Sequence, residues 1–282
     1  MPNPASEASS PDPRQRCSAG ARPVFGLQLY TVRHALAKDL EGTLRQISAI
    51  GYREVELYSF FNRPASVTRR ALQEAALTCP SGHYMLAELR SGLAERIANA
   101  QELGLSYMVC ALLQPHERKG LDDYRRLADW FNQIGEQTQR AGLKFVYHCH
   151  NFEFTTYDGV TALDELLRRT NPQLVEIELD TYWVSRAGRD PAACLNKYPG
   201  RFSLLHLKDM KPGHAPTTDF KAGLDAFTEV GQGAMEWKRL LQAAMASGVK
   251  HYFVEQDLCE RPQLESARIS YQYLSRPDLW GG

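Results

Sequence analysis

Histidines and carboxylates of this chain gather at the C-terminal ends of short apolar runs, in the segments VELY, SGHYM, YHCHNFEF, IELDTYW, LLHLKD and FVEQD. These segments supply Glu56, His83, His148, His150, Glu153, Asp180, His206, Lys208, Asp209, Glu255 and Asp257. A carboxylate at the buried end of a strand needs a partner, a proton or a metal ion. Taken singly, each has an ordinary reading: a hydrogen-bonded histidine, an ion pair, a turn cap. Glu, Asp, His and Glu at four successive run ends have instead the composition of a divalent-cation site. Mixed carboxylate and imidazole ligands suit Mn²⁺, Co²⁺, Fe²⁺ or Zn²⁺, and Mg²⁺ less well, without distinguishing among them. The ligand set read in this way is Glu153, Asp180, His206 and Glu255. His148 and His150 are one residue apart, so on a strand both project to one face. Either can take the ligand place of Glu153, which lies several residues past its run, and the other then meets substrate. Cys149 between them points away, into packing. Glu56 and His83, on earlier runs, are expected to hold substrate hydroxyls.

Something must bring these run ends to one place. The strand-like runs are Phe25–Leu29, Val55–Leu57, Gly82–Met85, Tyr107–Leu112, Lys144–His148, Val175–Asp180, Phe202–Leu207 and Tyr252–Glu255. Stretches of helical period alternate with them: Leu40–Ile50, Ser66–Ala76, Gly92–Leu103, Tyr124–Ala141, Ala162–Arg169, Pro191–Lys197, Glu236–Ala246 and Gln263–Leu274. Gly51, Gly104 and Gly142 punctuate helix ends, and Asp190-Pro191 reads as an N-cap with proline at the first helical position. Eight strand–helix units predict a parallel sheet with right-handed crossovers, closed as a (β/α)8 TIM barrel whose active site lies at the C-terminal ends of the strands. An open doubly wound sheet would want a Gly-rich turn after the first strand, and QLYTVR has no glycine. The barrel domain is read as 24–282, preceded by a disordered Pro-, Ser- and Ala-rich leader, 1–23. The longest irregular stretch, Lys208–Gly233, is expected to be functional, often as a lid.

The ordered segments GLQLYTVR, GYREVELY, YHCHNFEF, ELDTYWV, RFSLLHLKD, EVGQGAMEW and FVEQD resemble the sugar phosphate isomerase/epimerase family, the xylose isomerase-like TIM barrels. The resemblance spans about residues 25–275. It implies a (β/α)8 barrel with one divalent metal held by Glu, Asp, His and Glu, which fall on Glu153, Asp180, His206 and Glu255. Some relatives place the fifth-strand glutamate where this chain has His148. Ketose epimerases of the family often carry a substrate-contacting His three residues after the sixth-strand aspartate. Trp183 stands there, able to stack on a sugar face but not to shuttle a proton. The resemblance also implies a homo-oligomer.

The chemistry shared by such sites is proton abstraction next to a carbonyl through a metal-stabilised enediolate. The expected function is a divalent-metal-dependent isomerase or epimerase of a sugar or keto-sugar. The alternative is a lyase or dehydratase acting on a keto-sugar, keto-glycoside or keto-inositol at the same site. Glu153 and Glu255 are the expected acid/base pair, with His150 or His148 as a further base. Lys208 is expected to neutralise the enediolate, or else to pair with Asp209. The Gly231-Gln232-Gly233 turn offers N–H groups to a phosphate but lacks a basic partner, which tilts the expectation to a non-phosphorylated substrate. A non-catalytic sugar-binding barrel is the reading of another class. With Lys+Arg and Asp+Glu both 33, the whole-protein basic field of a nucleic-acid or membrane binder is excluded, though a local basic patch is not, and the zero net charge and modest histidine count argue against an abasic-site endonuclease, a rival reading. No run approaches the roughly 18 apolar residues of a membrane span. The six scattered cysteines suggest reduced core residues and a cytoplasmic protein.

Overall fold

The computed structural model describes residues 23–280, so the expected leader lies outside the described residues except for Pro23. Eight strands close a barrel: β1 Phe25–Gln28, β2 Glu54–Leu57, β3 Thr78–Tyr84, β4 Tyr107–Cys110, β5 Lys144–His148, β6 Val175–Asp180, β7 Phe202–Leu207 and β8 His251–Val254. Every neighbouring pair for which a register is defined is parallel, and β1 closes the ring on β8 through Phe25 opposite Tyr252. Among the described residues the outer ring holds ten helices: α1 Arg33–Lys38, α2 Leu40–Ile50, α3 Ala65–Glu74, α4 Leu86–Leu103, α5 Leu121–Arg140, α6 Ala162–Arg169, α7 Thr181–Arg186, α8 Pro191–Lys197, α9 Trp237–Ser247 and α10 Gln263–Leu274. The expected (β/α)8 fold is the fold observed. Among the described residues no helix is long and apolar enough to cross a membrane.

Alternation along the strands sorts the side chains into two cores. One face packs on the helices in the large apolar cluster that includes Leu27, Val55, Phe145, Ile177, Leu179 and Leu205. The other face fills the barrel with Val109, Val146, Leu204 and Phe253. Gly26 makes room for that plug. A Cβ there would lie 2.4 Å from the Phe253 ring and 3.2 Å from the Glu54 carbonyl oxygen. Two residues beyond the plug on β5, β7 and β8 stand His148, His206 and Glu255, one layer nearer the mouth.

Local signals hold the ring in register. Asp39, Thr161 and Asp190 cap α2, α6 and α8 by accepting backbone N–H bonds. Gly51 and Gly104 end α2 and α4 with φ of 126° and 79°. Some expected boundaries shift. α4 begins at Leu86 rather than Gly92, because a helical turn precedes the break where Gly92 takes φ −154°. The stretch 208–233 is partly ordered: Asp209–Met210 pairs antiparallel with Phe227–Thr228. The five described cysteines are free, and Cys149 is buried in the core as expected.

Candidate active site

Six strand ends meet at the mouth. Glu56 follows from β2, His83 from β3, His148 from β5, Glu178 and Asp180 from β6, His206 from β7, and Glu255 lies one residue past β8. Glu56, Glu178, Asp180 and His206 have no exposed surface, and His148 and Glu255 are nearly as buried.

Glu178 is the hub. Its Oε2 lies 3.0 Å from His148 Nδ1 and 2.9 Å from His83 Nε2, and its Oε1 lies 3.1 Å from His206 Nε2. Glu56 approaches His206 Nε2 at 2.6 Å and also accepts from Gln28 Nε2 at 2.8 Å and Ser81 Oγ at 2.5 Å. With His148 Nδ1 and His206 Nε2 held by carboxylates, the opposite ring nitrogens turn to a common point. His148 Nε2 is 3.8 Å from Asp180 Oδ2; His206 Nδ1 is 3.7 Å from that oxygen and 2.9 Å from Glu255 Oε2. Orienting a ligand imidazole through its second nitrogen is the usual arrangement around a bound metal. His206 Nδ1 and Asp180 Oδ2 are buried without a well-aligned hydrogen bond. Asp180 Oδ1 is spent on the N–H groups of Tyr182 and Trp183 at the start of α7, so the carboxylate both caps that helix and keeps Oδ2 for the site. Asp180, His206 and Glu255 bring one donor atom each to within 4.8 Å of one another, close enough to hold one ion together, and His148 Nε2 borders that group through Asp180 Oδ2.

Lys208 Nζ reaches the same oxygens, 2.9 Å from Asp180 Oδ2 and 2.7 Å from Glu255 Oε2, and sits 2.9 Å from Asp257 Oδ1. Burial opposes its charge, but Asp180, Asp257 and Glu255 overcome that and hold its pKa well above the lysine range. Burial likewise works against the proton of His83, yet Glu56 and Glu178 raise its pKa to about 10. Burial lowers that of His150 well below the imidazole range, with His148 and Lys208 adding to the shift. His150 is clamped: Phe152 stacks on it at 5.2 Å, Phe220 meets it edge-on at 5.4 Å, and its Nδ1 has no hydrogen-bond partner. A cavity of about 440 Å³ opens onto His83, His148, His150, Lys208, Glu255 and Asp257.

Several expected placements differ. Glu153 does not join the cluster. It sits in the turn Phe152–Phe154, where one oxygen accepts from Tyr147 Oη and the other from the His150 N–H at 2.7 Å. Burial pushes its pKa to about 7. The chain leaves β5 at His148 and turns back, so His148 occupies the fifth-strand place at the cluster. Trp183 is fully buried behind Phe220, stacked on it at 5.0 Å, and Phe220 is the ring facing the cavity. Glu56 is sealed beneath His83 and His206 rather than lining the cavity. Lys208 does not pair with Asp209, because successive residues of an extended chain point to opposite sides. Asp209 instead accepts from the N–H groups of Met210, Gly231, Gly233 and Met235 and from Trp237 Nε1. The Gly231–Gly233 amides offered to a phosphate are spent there. Glu178 and Gln28 were not singled out from the sequence. The signal for Glu178 was present: it lies two residues before Asp180 and so faces the same way.

Fold and site together define a (β/α)8 barrel with a buried imidazole–carboxylate cluster at its C-terminal mouth. The chain belongs to the xylose isomerase-like TIM barrel family, whose model matches residues 44–275. It is similar to the inosose dehydratase of Lacticaseibacillus casei, 28% identical over 163 residues, 54% of each chain. Against the inosose dehydratase of Bacillus licheniformis it is 26% identical over 268 residues, 84% of this chain and 88% of that one. The chain thus spans about half the length of the first of these curated relatives. A solved sugar phosphate isomerase/epimerase from Parabacteroides distasonis superposes with a TM-score of 0.78 at 26% identity, covering 96% of this chain and all of the other.

Proposed function

We infer that the chain is a divalent-metal-dependent enzyme that removes the proton next to the carbonyl of a keto-sugar or keto-polyol. The observation that carries this reading is the convergence of Asp180, His206 and Glu255, with His148 Nε2 3.8 Å from Asp180 Oδ2 and both imidazoles oriented from behind by Glu178 and Glu56. A divalent ion held by those four residues would supply Lewis-acid polarisation of the carbonyl and offset the charge that develops on its oxygen. His150, which lines the cavity and whose pKa burial holds well below the imidazole range, takes the proton. Glu153, through the His150 N–H, and the Phe152 and Phe220 rings hold that imidazole in place. Lys208 steadies the negative oxygen, anchored on Asp257. β5 and β8 are separated by β6 and β7 around the barrel, so Glu255 and Asp257 meet the substrate from another side than His150.

Return of the proton to the same or the adjacent carbon makes the enzyme an isomerase or epimerase of a sugar. A second reading, elimination of water, is favoured by two observations. The sequence relatives are named dehydratases. The residue three past Asp180 is a buried Trp183 that neither lines the cavity nor carries a proton, whereas elimination can proceed with one base.

Elemental analysis of the purified protein is expected to find about one divalent ion per chain, lost in folded Asp180→Ala/His206→Ala. A panel of keto-sugars and inososes in D₂O, followed by NMR, is expected to show deuterium entering next to the carbonyl in the wild type and not in Glu255→Gln. An unsaturated product identifies elimination, an epimer or isomer the first reading. A wild type that takes up neither Mn²⁺, Co²⁺ nor Zn²⁺ and exchanges no proton overturns the proposal in favour of a binding barrel.

A further inference from the structure

The cavity changes character from floor to rim. Its floor is the charged set above, but its upper wall is built from Tyr30, Tyr58, Met85, Leu112, Phe220 and Leu258. Large apolar side chains are exposed at six described positions, and three of these rim this one cavity: Tyr30 at 37%, Met85 at 37% and Leu258 at 51%. They come from the segments after β1, β3 and β8, so tertiary structure, not one apolar run, assembles them. Tyr30 is braced, with Tyr58 edge-on at 5.4 Å and the Arg33 guanidinium over its ring at 4.0 Å. Apolar surface gathered above convergent polar groups is the makeup of a ligand site.

The same cavity is poorly made for a phosphate. Among the described residues that line it, Lys208 is the one Lys or Arg, and three carboxylates lie within 2.9 Å of its ammonium. Glu255 and Asp257 beside it would repel a dianion, and the Gly231 and Gly233 amides are bound to Asp209.

We propose that the substrate is a non-phosphorylated sugar or cyclic polyol bearing an apolar substituent, aryl or alkyl, that seats on the rim formed by Tyr30, Met85 and Leu258. This rests on the reading of the floor as the reaction site. The polar ring binds below, where its hydroxyls meet the histidines and Lys208, and the substituent covers the exposed apolar wall.

The test is calorimetric titration of the full chain, with Mn²⁺ in the buffer, by phenyl, octyl and methyl glucopyranosides of both anomers, glucose and glucose 6-phosphate. The phenyl or octyl glycoside of one anomer is expected to bind at least about tenfold (about 1.4 kcal/mol) more tightly than the methyl glycoside. Glucose 6-phosphate is expected to bind no more tightly than glucose. In Met85→Ala/Leu258→Ala, two exposed positions whose truncation leaves the core intact, the ratio is expected to fall below about threefold. Equal affinities, a preference for the phosphate, a preference that survives in the double variant, or no binding of any glycoside overturns the proposal. The two readings fail separately. A protein that favours phenyl glycosides but takes up no metal and exchanges no proton loses the reaction and keeps the rim. An enzyme that turns over bare keto-sugars without the preference does the reverse.

Discussion

Glu178 shows how a residue that need not touch substrate governs a site. It holds His148 by Nδ1 and, with Glu56, His206 by Nε2, which leaves His148 Nε2 and His206 Nδ1 facing Asp180 and Glu255. Glu178→Gln keeps the volume and removes the charge that fixes both tautomers. Such outer partners are worth about 10–100-fold in metal affinity. The variant is expected to keep its far-UV circular dichroism and to lose Mn²⁺ or Zn²⁺ to a chelator at concentrations lower by about that factor. Wild-type retention of the ion would show that the imidazoles are oriented by other means. The residue types at this scale were readable in the sequence: Asp180, His206 and Glu255 meet as the strand-end pattern implies. The choice between His148 and Glu153 was not, since both follow the same strand and only the path of the turn after His148 separates them.

At the scale of elements, the segment after β7 is organised by one buried carboxylate. Asp209 gathers four backbone N–H groups and the Trp237 indole, and so ties the short hairpin to the start of α9. Between the two hairpin strands the chain carries Phe220 and Leu224 to the cavity. Gly233 permits the tie. A Cβ there would fall 2.1 Å from Asp209 Oδ1 and 2.5 Å from the Met210 carbonyl oxygen. Gly233→Ala must therefore push the loop off its anchor and leave buried donors unmatched. We expect a loss of ~2–3 kcal/mol in denaturant unfolding, together with weaker substrate binding, because Phe220 moves with the loop. An unaltered unfolding midpoint would mean the loop relocates without strain. The eight strands and most helices were legible because their apolar periods are local. α1, α7 and the hairpin were not. α1 and α7 are 6 residues long each, α7 following directly on its cap Asp180, and the hairpin strands are 2 residues each, too short for any period to register.

At the scale of the molecule, the helical ring is pinned by ion pairs between neighbours. Glu165 on α6 accepts from Arg125 on α5 at 2.8 Å and from Arg168 on its own helix at 2.7 Å. Its carboxylate is almost fully covered, although the arginines are half-exposed or more. The Arg168 hydrogen bond leads in drawing its pKa from 4.5 to about 2, against burial and with help from Arg125. A carboxylate with a folded-state pKa below its unfolded one stabilises the fold above the unfolded value, and the gain is lost as pH falls toward the folded value. Glu165→Gln is expected to melt below the wild type at pH 7. The gap should narrow steadily from about pH 4.5 downward. A gap independent of pH would assign the effect to packing rather than charge.

The sequence by itself determined the alternation of strands and helices, the barrel that eight such units close, and the rim on which acids and histidines would stand. Those follow from interactions between residues near one another along the chain: periodicity, caps and turn glycines. Tertiary structure alone decided which strand ends meet atom to atom. It placed Glu178 under two imidazoles and Lys208 among Asp180, Glu255 and Asp257. It also turned Asp209 into the loop and hid Trp183 behind Phe220. The distance between groups on β2, β6 and β7 is set by closure and register of the whole ring, which no local pattern encodes.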